Sequence, residues 1–218
     1  MDKIKQYVKD LLAKEYSGHD YYHCIRVYNN AMLICKDMDC DKQLVSVASL
    51  LHDVDDAKLF DSKDYDNARK KLNDLNYEKD FIEKVINIIK DISFKGTDSV
   101  IPCSLEGKIV QDADRLDAIG AIGIARAFAY GGNHNRVMHD PDIKPSLNMN
   151  EVEYRSHIST TINHFYEKLF TLKDLMNTKT AIKLAVSREK YMKEYIQEFL
   201  DEYNLIYNNK TFDLYELK

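Results

Sequence analysis

The chain has 218 residues with only seven Gly and three Pro, which argues against a sheet-rich fold with many tight turns. Its net charge of −5 lacks the clustered Lys and Arg that grip a nucleic-acid backbone, so no nucleic-acid partner is expected, while a small phosphate substrate stays compatible. No apolar run approaches the roughly 20 residues needed to span a bilayer, and residues 1–14 mix charge with apolar side chains instead of forming a signal peptide, so the expectation is a cytoplasmic protein with no membrane partner.

Long stretches rich in Leu, Ile, Lys, Glu and Asp point to an all-α fold. No repeat, low-complexity tract or linker divides the chain, so a single-domain helical bundle over residues 1–218 is expected. A domain of this size buries about 70% of its unfolded surface and needs no staples. Cys24, Cys35, Cys40 and Cys103 form no CxxC pair and read as reduced thiols.

In chain order, a first helix is predicted from Asp2 to Glu15, with Ile4, Tyr7, Val8, Leu11 and Leu12 on one face and Ser17-Gly18 as its breaker. A second runs from Asp20 to Met38, with the Asp20 carboxylate suited to its positive end. The third, Asp41 to Val54, is apolar on more than one face and should be central. After a charged connection, Asp55 to Asp61, come helices over Asp64–Asn73 and Glu78–Asp91, then a loop in ISFKGTD. A single small-residue helix is predicted from Ser104 to Tyr130, ended by Gly131-Gly132. Glycine inside a helix costs about 1 kcal/mol relative to Ala, which close backbone packing would explain. A polar loop follows, then two long helices over about 150–203 separated near Asn177, and a peripheral tail after Asn208.

The sharpest local feature is His52-Asp53 at the end of the apolar run Val45 to Leu51. Two strongly polar side chains on a buried helix are costly unless paired or metal-bound. His23 lies upstream in a separate helix, and Asp112, Asp114 and Asp117 crowd a third. Two imidazoles and two carboxylates brought together by three helices would form a site for a first-row metal or Mg²⁺. Asp112 and Asp114 point to nearly opposite faces, so only one can face such a centre.

H-x2-RV at His23, LLHD at Leu50 to Asp53 and ADRLDAIGA at Ala113 to Ala121 resemble, in order and spacing, the HD superfamily of metal-dependent phosphohydrolases. This likeness covers residues 20–130. SFKG at Ser93, FAYGG at Phe128 and HFYEKL at His164 resemble the compact stand-alone bacterial branch and extend it over most of the chain. The resemblance implies His23, His52, Asp53 and Asp114 as ligands of a divalent ion, with Mn, Mg, Fe, Co, Ni and Zn all possible occupants. It also implies a water-positioning role for an acidic residue at Asp56, three positions after Asp53 and on the same face if the helix continues; a solvated carboxylate is the competing reading.

Among nearby cations, Lys95 beside Gly96 and Arg26, three after His23, are the leading phosphate-binding candidates, with Lys58, Arg115, Arg126 and Arg136 behind them; a structural salt bridge is the competing role for either. His19, four residues before His23, is either a third imidazole ligand in an H-x3-H pair or an outer group. Tyr130, His134 and His139 are candidates for a substrate-facing wall, whereas His157 and His164 are assigned no role. The activity implied is metal-dependent hydrolysis of a nucleotide, nucleoside triphosphate to monophosphate and pyrophosphate. The alternatives are a nucleotidase acting on monophosphates and a nucleotide- or metal-sensing module without turnover. Paired-metal members of the family resembled carry extra histidines between the HD dipeptide and the last aspartate; none falls between Asp53 and Asp114, so the resemblance implies a single metal ion.

Overall fold

A computed structural model describes residues 1–15, 18–56 and 59–204, together with the backbone of 206–207 and 210–211. Among the described residues ten α-helices carry the fold: α1 (Asp2–Leu11), α2 (Tyr21–Ile34), α3 (Lys42–Leu51), α4 (Asp66–Asp74), α5 (Lys79–Ile92), α6 (Leu105–Asp117), α7 (Gly120–Asn133), α8 (Glu151–Ser156), α9 (Thr161–Glu167) and α10 (Lys179–Tyr203). Short 3-10 turns follow α2 and α9, and the two-residue strands Ile206–Tyr207 and Lys210–Thr211 pair antiparallel at the end. The fold is all-α, as the composition implies.

Several helix starts are set by side chains that accept the orphan backbone N–H groups. Asp20 accepts from His23 N at 2.7 Å, Asp41 from Leu44 N at 2.9 Å and Ser104 from Gly107 N at 3.0 Å. Asn150 and Glu153 form a complete capping box on α8. Asp55 does the same for α4, accepting from Asn67 N and Ala68 N, each at 2.9 Å, and from the Ser62 hydroxyl.

The core forms where α2, α3, α5 and α6 meet, with α2 packed most extensively on α6 and α3. Every residue from Leu44 to Leu51 is buried, so α3 is the central helix its apolar pattern predicts. All four cysteines are free thiols, and Cys24 and Cys35 are buried. No helix among the described residues is long and apolar enough to cross a membrane.

The helix predicted over 104–130 is two helices. The chain breaks at Ala118–Ile119 and re-enters through Gly120, whose φ of +79° only glycine adopts without strain. The second helix then continues through Gly131-Gly132 to Asn133 instead of stopping there. The small residues are there for close packing: a Cβ on Gly123 would overlap the Ala118 carbonyl, and one on Gly131 would overlap the Thr161 hydroxyl. The first of the two long C-terminal helices is likewise broken, into α8, α9 and a 3-10 turn at Leu169–Leu175, whereas the second is the 25-residue α10. Lys58 and most of the tail after Asn208 lie outside the described residues.

Candidate metal centre and its cleft

Three helices deliver the polar cluster. His23 sits one turn into α2 and is fully buried. His52 and Asp53 follow directly on the buried run of α3, so the end of that helix delivers both to the interior, at 8% and 6% exposure. Asp114 projects from α6, with 28% of its side chain exposed.

Both imidazoles are oriented through Nδ1. His23 Nδ1 lies 2.7 Å from Asp117 Oδ2, and His52 Nδ1 lies 2.8 Å from the Ser49 carbonyl. Donation from Nδ1–H in each case leaves the two Nε2 atoms facing one another, 3.0 Å apart. Asp53 Oδ2 is 3.2 Å from His23 Nε2, and Asp53 Oδ1 is 3.4 Å from His52 Nε2. Asp114 Oδ1 lies 3.5 Å from His23 Nε2 and 3.7 Å from His52 Nε2. Ligand atoms about 2.0–2.2 Å from a common ion stand roughly 3.0–3.6 Å apart, and His23, His52 and Asp114 form one trio of donor atoms close enough together to hold a divalent cation. His19, just ahead of α2, places Nδ1 3.0 Å from Asp53 Oδ2 and with His23 and Asp53 forms a second, overlapping trio of donor atoms.

The electrostatics are those of a tightly packed ionic cluster. Burial would raise the Asp53 carboxyl, but His52 and the hydrogen-bonded His19 and His23 outweigh it and hold it well below the usual carboxylate range. Burial and Arg126 oppose protonation of His23, yet its contacts to Asp117 and Asp53 win and its pKa is raised. Asp117 is depressed in spite of burial by its hydrogen bonds from His23 and Arg26.

The cluster forms one end of a cleft of about 550 Å³. Asp56 lines it, carried by tight turns after α3 and not by a continuing helix: its backbone N–H reaches the Asp53 carbonyl at 3.2 Å, and its own carbonyl accepts from Leu59 and Phe60. Lys95 lines it too, with Nζ 3.8 Å from a Glu151 oxygen. Arg26 does not reach the cleft wall. Its guanidinium grips Asp117, Nε to Oδ1 at 2.7 Å and Nη2 to Oδ2 at 3.1 Å, so it takes the structural salt-bridge role and not that of phosphate ligand. Asp112 is fully buried on the other side of α6, where it accepts from Asn177 N, Asn177 Nδ2 and Thr178 N at 2.7–2.9 Å and anchors the start of α10.

Tyr130 lines the cleft, whereas His134 stacks on it from outside and His139 packs against Tyr203 and Phe199. His157 and His164, assigned no role from sequence, both line the cleft. His157 is held by the buried Glu167 at 2.9 Å. Around them stand Arg126, Arg136, Tyr154 and Lys168, the last with Nζ 4.9 Å above the Phe94 ring. Arg136, Tyr154 and His157 come from the segment 134–160, which is strapped to the rest through Thr97 N on the Met149 carbonyl and Asn163 Nδ2 on the Ile143 carbonyl. Short, weakly periodic segments of this kind give little signal in sequence. The role of Asp117 had one: it lies three residues after Asp114, on the same face of α6.

Comparison with known proteins points to one family. The HD domain family matches residues 20–119. YpgQ of Bacillus subtilis is 36% identical over 205 residues, covering 90% of both chains. A crystal structure of YpgQ in complex with ADP superposes with a TM-score of 0.73 at 35% identity, over 92% of this chain and 96% of that one. A Lactobacillus plantarum protein gives a TM-score of 0.84 at 42% identity, over 92% and 94% of the chains. A Bacillus thuringiensis HD-superfamily hydrolase gives 0.71 at 40%, over 93% and 96%. The chain belongs to the HD superfamily of metal-dependent phosphohydrolases.

Proposed function

We propose that this hydrolase cleaves nucleoside or deoxynucleoside triphosphates to a monophosphate and pyrophosphate, at a single divalent ion held by His23, His52, Asp53 and Asp114. The observation that carries the reading is the paired, Nδ1-anchored imidazoles presenting Nε2 beside two carboxylates at the end of a cation-lined cleft. The bound ADP of YpgQ supports a nucleotide as the ligand class. A divalent ion there would supply Lewis acidity toward a phosphoryl oxygen and acidify water.

The protein's own residues divide the remaining work. Asp56, at the cleft beside Asp53, orients the attacking water and accepts its proton. Lys95 meets negative charge on the phosphoryl oxygens, its tie to Glu151 being long enough to yield to a substrate. Tyr130 and Tyr154 supply apolar wall for the nucleoside.

The test is a panel of mono-, di- and triphosphates incubated with Mn²⁺-loaded protein, with phosphate separated from pyrophosphate among the products. Triphosphates should yield pyrophosphate. Phosphate released from monophosphates alone would mean a nucleotidase, and nucleotide binding without turnover would mean a sensing module.

A further inference from the structure

Asp117 is not among the four proposed ligands, yet it is the most heavily tethered group beside them. It is 2% exposed and accepts from His23 Nδ1 at 2.7 Å, from Arg26 Nε at 2.7 Å, from Arg26 Nη2 at 3.1 Å and from Arg126 Nη1 at 3.1 Å. An imidazole and two guanidiniums thus converge on one carboxylate. Arg26 engages both oxygens, and Arg126 adds a second guanidinium on Oδ2. Arg126 comes from α7, and the break at Gly120 is what folds it back beside the end of α6. Its side chain is 16% exposed and lines the cleft together with His52, Asp53 and Asp114. Among the described residues its hydrogen bonding goes to Asp117 through Nη1, and its Nε is buried without a partner.

We propose that Asp117 is the positioning residue for both halves of the site, fixing His23 with Nε2 toward the metal and holding the Arg126 guanidinium at the cleft wall as a phosphoryl-binding group. The physical reasons differ for the two. A carboxylate on Nδ1–H locks the tautomer and ring angle of a ligating histidine and makes Nε2 a better donor. A guanidinium pinned by one nitrogen keeps its other donors preorganised for phosphate oxygens. Asp117 touches neither substrate nor metal; it acts through its two neighbours. The inference rests on the metal-site reading above.

The experiment measures Mn²⁺ affinity by calorimetry and KM for a nucleoside triphosphate, using the full chain. Asp117→Asn should weaken Mn²⁺ binding about 10- to 100-fold, and Asp117→Glu should recover part of the loss. Arg126→Gln should leave Mn²⁺ affinity within about threefold of wild type while raising KM about tenfold, the loss of one charge-assisted contact. Should Asp117→Asn fail to fold, the wild type answers directly: imidazole ¹⁵N shifts of Zn²⁺-loaded protein should show the His23 proton on Nδ1. Unchanged Mn²⁺ affinity in Asp117→Asn, a proton on His23 Nε2, or an unchanged KM in Arg126→Gln would each overturn the assignment. Wild-type protein that takes up no Mn²⁺ would remove the metal reading itself, a result separate from any difference between variants.

Discussion

Asp112 and Asp114 are two apart on α6, about 200° around the helix, and they have opposite surroundings. Asp112 is fully buried against Asn177 and Thr178; burial raises its pKa, and the hydrogen bonds from those residues only partly offset the effect. Asp114 faces the imidazoles and the cleft. Asp112→Ala would leave the Asn177 and Thr178 N–H groups without an acceptor, and unfolding in urea should show a loss of about 1–3 kcal/mol, with metal retained. Asp114→Ala should do the reverse, losing tightly bound metal with little change in stability; equal metal loss in both would undo the choice of Asp114. The same logic applies to His52→Ala and Asp53→Ala, which should abolish metal binding while circular dichroism still reports a helical protein. Full turnover by either would place the site elsewhere. Sequence alone could narrow Asp112 and Asp114 to one, because helix geometry forbids both. It could not place Arg26, because a cation three residues from a histidine can turn to either side, and only the position of Asp117 decides.

At the scale of elements, the site depends on where helices stop. α3 ends at Leu51 while the chain is still buried, so His52 and Asp53 stand at its end and not along its flank. The break between α6 and α7 separates Asp114 and Asp117 from Arg126 and then brings the arginine back. Gly123→Ala would drive a methyl into the Ala118 carbonyl, and Gly120→Ala would force a left-handed backbone on alanine with Arg188 close by. Each should cost about 1–3 kcal/mol in urea unfolding, and both should weaken metal binding by shifting α6 against α7. A stability unchanged in both variants would contradict the close-packing account. The apolar periodicity of α1 to α5 made those helices legible to within a few residues. The α6–α7 break was not, because helix-favouring sequence runs on both sides of Gly120 and only tertiary packing supports the turn.

Over the whole molecule, a chain with net charge −5 builds a cleft where Lys95, Arg126, Arg136 and Lys168 gather. The cations come from α5–α6, α7, the following loop and the end of α9, so no local cluster announces them. Fold class and the polar centre were legible because the first rests on composition and periodicity and the second on two strongly polar residues closing a buried helix. The far wall was not, since Tyr154 and His157 acquire meaning only from the path of residues 134–160, and His164 only from what that path faces. The measurement that bears most directly on the account is a titration of Mn²⁺ into chelator-stripped protein, following hydrolysis of a nucleoside triphosphate. Turnover should rise from none and saturate at one equivalent per chain. Full turnover by the stripped protein, or saturation only at two tightly bound equivalents, would contradict a single ion held by His23, His52, Asp53 and Asp114.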